Sequence, residues 1–212
     1  MIRIDHNHSF FLENVLFTFA LASEAADIFT AYNHLICGIG KVSATYELMK
    51  AIRQERPQLI VNLGSAGSSQ FQKGDVVCCT KFIQRDMDVR ALGFELYETP
   101  LSGIPTLLEY GLHMEALPAA ICGTGDNFEM AHAVQHYNIV DMEAYALALV
   151  ASKENIPFLC LKYISDGADD GAAEDWTVQV HNAANAFAKV LNLPDKNNIQ
   201  LETTPAKVNI PS

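Results

Sequence analysis

The chain has 212 residues, 50% hydrophobic and 18% charged, with a formal net charge of −11. That length and apolar share suit one domain with a large core, and the acid excess argues against nonspecific nucleic-acid or anionic-membrane binding, which needs clustered Lys and Arg. No apolar stretch reaches the roughly 18 residues of a membrane span, and MIRIDHNHSFFLEN does not read as a signal peptide, so a cytoplasmic location is expected.

In chain order, strand-like and helix-like segments alternate. The first residues read as a solvated tail, since His6 and His8 have no third ligand nearby to hold a metal. Val15 to Ala22 predicts a strand, with Ser23 a candidate N-cap before acids in a helical first turn. A short strand, His34 to Cys37, leads into Gly38-Ile39-Gly40. An amphipathic helix then runs to about Glu55, with Val42, Tyr46, Met49 and Ile52 near helical spacing. Gln58 to Leu63 predicts a third strand opening into Gly64-Ser65-Ala66-Gly67. A turn at Gly74-Asp75 precedes a β-like stretch from Val76 to about Val89, and Pro100 to Pro105 is loop-like. Strands are also expected at Ala119 to Gly123 and Ile139 to Met142, and a helix at Glu143 to Lys153. An apolar strand, Phe158 to Leu161, follows Pro157, and a last helix spans roughly Ala173 to Leu191. This alternation predicts one α/β domain over residues 1–193 with a mostly parallel or mixed sheet, and a polar tail over 194–212. Cys37, Cys78, Cys79, Cys122 and Cys160 lie in or beside apolar runs with no CxxC pair, and read as buried reduced thiols.

The reactive residues sit where strands end. Asp166 follows a buried strand and precedes Gly167, at the strand edge where open α/β sheets bind ligands; it is a candidate catalytic acid or a helix cap. If the strands are mainly parallel, the loops bearing Glu24, Gly38 to Gly40, Ser65 to Gly67, Phe128, Glu143 and Asp166 gather on one edge. The carboxylates Glu24, Glu143 and Asp166 would suit chemistry at an anomeric carbon, where an acid protonates the leaving group and a base activates water. Each residue also has a plainer reading: Glu24 and Glu143 as first-turn acids, Phe128 as core, and Gly64 to Gly67 as a tight turn or a backbone cradle. Gly38-Ile39-Gly40 lacks the third glycine of a dinucleotide loop, and Ser65 is not in a GxSxG elbow.

Together these segments carry a family resemblance. ALASE at 20–24, GIGKV at 38–42, NLGSAGS at 62–68, GDVV at 74–77, DMDVRALGF at 86–94, GDNF at 125–128, VDMEAYALA at 140–148 and ISDGAD at 164–169 stand in the order seen in the nucleoside phosphorylase and nucleosidase superfamily. The chain most resembles the 5′-methylthioadenosine/S-adenosylhomocysteine nucleosidase branch, from about Val15 to Leu191. The resemblance implies a three-layer nucleoside phosphorylase-like fold with a central mixed sheet flanked by helices. It implies a purine nucleoside as ligand, no metal or other cofactor, and a homodimer. By position it implies that Glu24 is the base that activates water, with Ser65 and Lys162 nearby and Ala66 and Gly67 beside the substrate. Met142 and Glu143 would hold the ribose, Phe128 would stack on the purine, and the Glu129 backbone would read the base edge. Asp166, oriented by Ser165, would protonate purine N7. Three features depart from the family: Lys162 stands where Arg is usual, Leu21 stands where Met is common, and the connection from Asp27 to His34 is short.

Water attacking C1′ of a 5′-modified adenosine is therefore the expected reaction. A phosphorylase is the enzymatic alternative, for which Lys41, Lys162, Arg85 and Arg90 are the cations on offer. A noncatalytic nucleoside-binding protein on the same fold is the third reading.

Overall fold

The computed structural model describes residues 1–129, 136–167 and 172–194, with the backbone alone over 172–178 and at 180 and 181; the predicted tail falls almost wholly outside the described residues. In chain order the strands and helices are β1 (Ile2–Arg3), β2 (Ser9–Phe10), β3 (Val15–Phe19), α1 (Ala22–Ala25), β4 (His34–Ile36), α2 (Lys41–Gln54), β5 (Leu59–Gly67) and β6 (Val76–Gln84). They continue with β7 (Leu108–Glu109), β8 (Ala119–Thr124), β9 (Ile139–Asp141), α3 (Ala144–Glu154), β10 (Phe158–Asp166) and α4 (Ala172–Val190).

One mixed sheet organises the molecule. β4, β3, β5 and β10 run parallel to one another. β6, β8 and β9 form a second parallel set, joined to the first by antiparallel contacts of β6 with β10 and of β9 with β5. The ring of pairings β5–β10–β6–β8–β9–β5 means that the twisted sheet curls back on itself. Long apolar runs such as Leu59–Leu63 and Phe158–Leu161 are buried on both faces, as expected of strands covered by helices on either side. On one side α2 and α3 pack Ala44, Leu48, Ile52, Leu147 and Ala151 against Ile60, Phe82, Phe158 and Cys160. On the other, α4 places Ala183, Ala184 and Phe187 against Phe17, Leu161 and Phe19. These layers make the expected three-layer architecture, a mixed sheet covered by helices on both faces.

The structure corrects several local expectations. β5 does not stop at Leu63 but continues to Gly67, and β10 continues to Asp166; the residues Gly64 to Gly67 are strand, not a tight turn. Ser23 lies inside α1, whose N-cap is Leu21. Val42 and Tyr46 do not face the core: they are 81% and 65% exposed, while Ala44, Leu48 and Ile52 form the buried stripe of α2. The N-terminal segment is no solvated tail. Ile2 and Ile4 are buried in the core, and they belong to a β1–β2 hairpin whose turn is tied by Asp5 Oδ1 accepting from the backbone N–H of Asn7 and His8. All five cysteines are free and buried.

The candidate active site

The strand ends converge for a reason other than parallel alignment. β5 and β9 approach from opposite directions and overlap only at Gly67 and Val140, so their carboxyl ends meet tip to tip. β10 runs alongside β5 but carries one extra residue: Ile164 pairs with Ala66 and Asp166 with Gly67. A bulge of this kind breaks the alternation of side chains and re-aims the residue that follows. Ile164 consequently enters the core, while Asp166 faces a cavity of about 420 Å³.

Glu24, Ser65, Ala66, Gly67, Phe128, Glu129, Met142, Glu143, Ser165 and Asp166 all line this cavity. Lys162 lies behind it, 1% exposed. Glu24, 3% exposed, is held by four donors: Oε1 accepts from Ser65 N at 2.9 Å and Ser65 Oγ at 2.8 Å, and Oε2 accepts from the N–H of Ala20 and Leu21, each at 3.1 Å. It is thus a first-turn acid of α1 and a cavity-facing carboxylate at once. Asp166 is the last residue of β10 and faces the cavity. Its Oδ2 accepts from Ser165 Oγ at 2.8 Å. Phe128 is 46% exposed and stands at the cavity wall, not in the core.

Glu143 occupies the N-cap position of α3 but does not cap it. Its Oε1 reaches across to accept from Gly40 N at 2.8 Å, which gives the Gly38-Ile39-Gly40 turn its place in the site. Gly40 has φ 87°, a conformation few L-residues adopt. Burial, reinforced by the charge on Asp141, pushes the Glu143 carboxyl up to about 8.

Asp141 went unnoticed in the sequence although it opens the Asp141-Met142-Glu143 motif. Its Oδ2 pairs with Lys162 Nζ at 2.8 Å, both side chains being almost wholly buried. Oδ1 accepts from Thr124 Oγ1 at 2.5 Å, and Oδ2 also accepts from Ala144 N at 2.8 Å at the start of α3. Burial alone would raise the Asp141 carboxyl, but the Lys162 charge and these donors hold it below its ordinary range. Burial likewise opposes the charge on Lys162, and Asp141 outweighs it, keeping the ammonium well above its usual pKa. The described ion pair of Lys162 is with Asp141 and not with Glu24. A methyl group added at Gly64 would sit 3.1 Å from Lys162 Nζ, closer than side chains ordinarily pack, so glycine is what lets Lys162 crowd this point of β5.

The other cations considered for a phosphate are also ion-paired. Lys41 Nζ lies 2.5 Å from Asp86 and 3.0 Å from Asp126, Arg85 Nη1 lies 3.0 Å from Glu129, and Arg90 Nη2 lies 2.6 Å from Asp88. The cavity also takes in Ala20, Leu21, Ile39, Arg85, Asn127 and Val140. The aliphatic members carry no chemical signature in sequence and are found only once the fold places them.

Fold and site together define an α/β protein with a buried, carboxylate-rich small-molecule cavity at its strand ends. The profile of the Phosphorylase superfamily matches residues 34–193, and the chain belongs to that family. It is 31% identical over 161 residues to a 5′-methylthioadenosine/S-adenosylhomocysteine nucleosidase of Haemophilus ducreyi, covering 66% of this chain and 69% of the relative. A nucleosidase of the same name from Exiguobacterium sp. is 32% identical over 158 residues, covering 64% and 67%. The fold is shared with a Helicobacter pylori 5′-methylthioadenosine/S-adenosylhomocysteine nucleosidase solved with a pyrrolidine-based ligand. The TM-score is 0.77 at 21% identity, over 85% of this chain and 97% of the other.

Proposed function

We propose that the protein is a purine nucleosidase that hydrolyses the N-glycosidic bond of a 5′-modified adenosine such as methylthioadenosine or S-adenosylhomocysteine. One observation carries this reading: three buried carboxyl groups, Glu24, Glu143 and Asp166, converge on one cavity. Relatives about 30% identical that carry the nucleosidase name support it.

In this mechanism Glu24 takes a proton from water, and the water oxygen bonds to C1′. The C1′–N9 bond breaks with its electron pair going to the purine. Asp166 delivers a proton to N7, so adenine leaves as a neutral tautomer instead of an anion. Glu143 holds the ribose hydroxyls and, once ionised, stabilises positive charge on the sugar. Ser65 and Ser165 orient Glu24 and Asp166. Phe128 stacks on the base, beside the Glu129 backbone, and Met142 packs on the ribose.

Hydrolysis is favoured over phosphorolysis because an incoming phosphate would face these carboxyls, while Lys41, Lys162, Arg85 and Arg90 are each already paired with an acid. The exposed apolar side chains Val42 and Tyr46 on α2, next to the site at Ile39, support a homodimer formed through this face. Five free buried thiols suit a cytoplasmic enzyme, and cleavage of methylthioadenosine would give it a part in nucleoside catabolism and methionine salvage.

Substitution tests the assignment of the base. Glu24→Gln should retain adenine binding but lose at least about 100-fold in turnover, the usual worth of a positioned general base. Unchanged turnover would remove Glu24 from that role.

A further inference from the structure

We infer that Arg85 is a positioning residue for nucleobase recognition, clamping the tripeptide Asn127-Phe128-Glu129 that forms one wall of the cavity. The inference rests on the nucleosidase reading above and adds to it the residue that fixes the base-binding wall. Arg85 directly follows β6, and its backbone N–H donates to Thr124 O at 2.9 Å, extending the pairing with β8. Its side chain is only 5% exposed. Nη1 donates to Asn127 Oδ1 at 2.9 Å and Nη2 to Asn127 O at 2.5 Å, while Nη1 also lies 3.0 Å from Glu129 Oε2. One planar fork therefore grips the residues on both sides of Phe128, which is itself 46% exposed.

Two neighbours complete the clamp. Tyr137 Oη lies 3.3 Å from Glu129 Oε2, turning the Glu129 side chain toward Arg85. With Asn127 O taken up by Arg85, the backbone of Phe128 and Glu129 is left to meet a base. Gly125 supplies the seat for the guanidinium: a methyl added there would lie 2.9 Å from Arg85 Cζ and 3.0 Å from Nη1. Arg85 Nε is buried without a hydrogen-bond partner among the described residues. An unpaired buried donor is costly to stability, so the Nη contacts are the ones that hold the guanidinium here. Lys has the charge but not the fork and cannot reproduce this geometry.

Steady-state turnover of methylthioadenosine and equilibrium binding of free adenine, measured on wild type, Arg85→Met, Arg85→Lys and Gly125→Ala, test the clamp. Loss of a charged hydrogen-bonding group predicts that Arg85→Met raises KM and the adenine Kd together by about tenfold or more, with a much smaller change in kcat. Arg85→Lys should behave more like Arg85→Met than like wild type. Gly125→Ala, which displaces the guanidinium without altering any polar group, should shift KM the same way, and it decides the matter if Arg85→Met does not fold. Adenine affinity within twofold of wild type in folded variants, or a loss confined to kcat, would overturn the inference. A wild type that binds adenine but releases none from nucleosides would instead refute the nucleosidase reading, and the adenine Kd values would still decide the role of Arg85.

Discussion

Glu143 does not titrate as an ordinary glutamate. Its carboxyl is pushed up to about 8 by burial and by the Asp141 charge, against about 4.3 for a free glutamate. The folded protein thus keeps a proton that the unfolded chain gives up. The stabilisation from this proton is fully present below the ordinary glutamate pKa and is lost as pH rises through about 8. Thermal midpoints should therefore fall as pH rises from roughly 5 toward 8, and Glu143→Gln, neutral throughout, should flatten this slope. Ribose hydroxyls donate to a carboxylate, so nucleoside binding at neutral pH should expel the proton. Calorimetry in buffers of different ionisation enthalpy should register that release in wild type and not in Glu143→Gln; its absence in both would remove Glu143 from the ribose site.

Asp141 ties four elements together: it ends β9, bonds Thr124 on β8, pairs with Lys162 on β10 and caps α3 at Ala144. Asp141→Ala leaves Lys162 as a buried unpaired charge and should cost about 3–5 kcal/mol in urea unfolding. Lys162→Met strands the aspartate and should cost a similar amount, whereas the double variant should cost less than the sum. Additive losses would mean that the pair is not coupled. At this scale the sequence was readable wherever apolar periodicity sets the structure, as in Lys41–Gln54, Ala144–Glu154 and the first halves of β5 and β10. It misled where polar residues are built into strands. Gly64 to Gly67 and Lys162 to Asp166 look like loop, yet they pair along their length, and the bulge at Ser165 has no residue signature. On α2 two apolar stripes compete, and only packing shows that Ala44, Leu48 and Ile52 face inward while Val42 and Tyr46 do not.

For the molecule as a whole, the outward stripe of α2 predicts self-association. Val42→Asp combined with Tyr46→Asp should convert a dimer to a monomer in analytical ultracentrifugation, and a wild-type monomer at micromolar concentration would contradict it. The site was legible because its polar members fall in short motifs at successive strand ends, although the motifs had to be recognised together: Glu24 or Asp166 alone reads equally well as a helix-terminus acid. What brings them to one cavity, the tip-to-tip meeting of β5 and β9, is a long-range property of a sheet that closes on itself. The same closure hid the partner of Lys162, since β9 and β10 do not pair and only the closed sheet brings Asp141 to Lys162.

The products formed from methylthioadenosine with and without inorganic phosphate decide whether this carboxylate cavity hydrolyses its nucleoside. Release of adenine together with free methylthioribose, at a rate that added phosphate does not change, is the predicted result. Adenine release that requires phosphate and yields a sugar 1-phosphate, or no release at all, would contradict it.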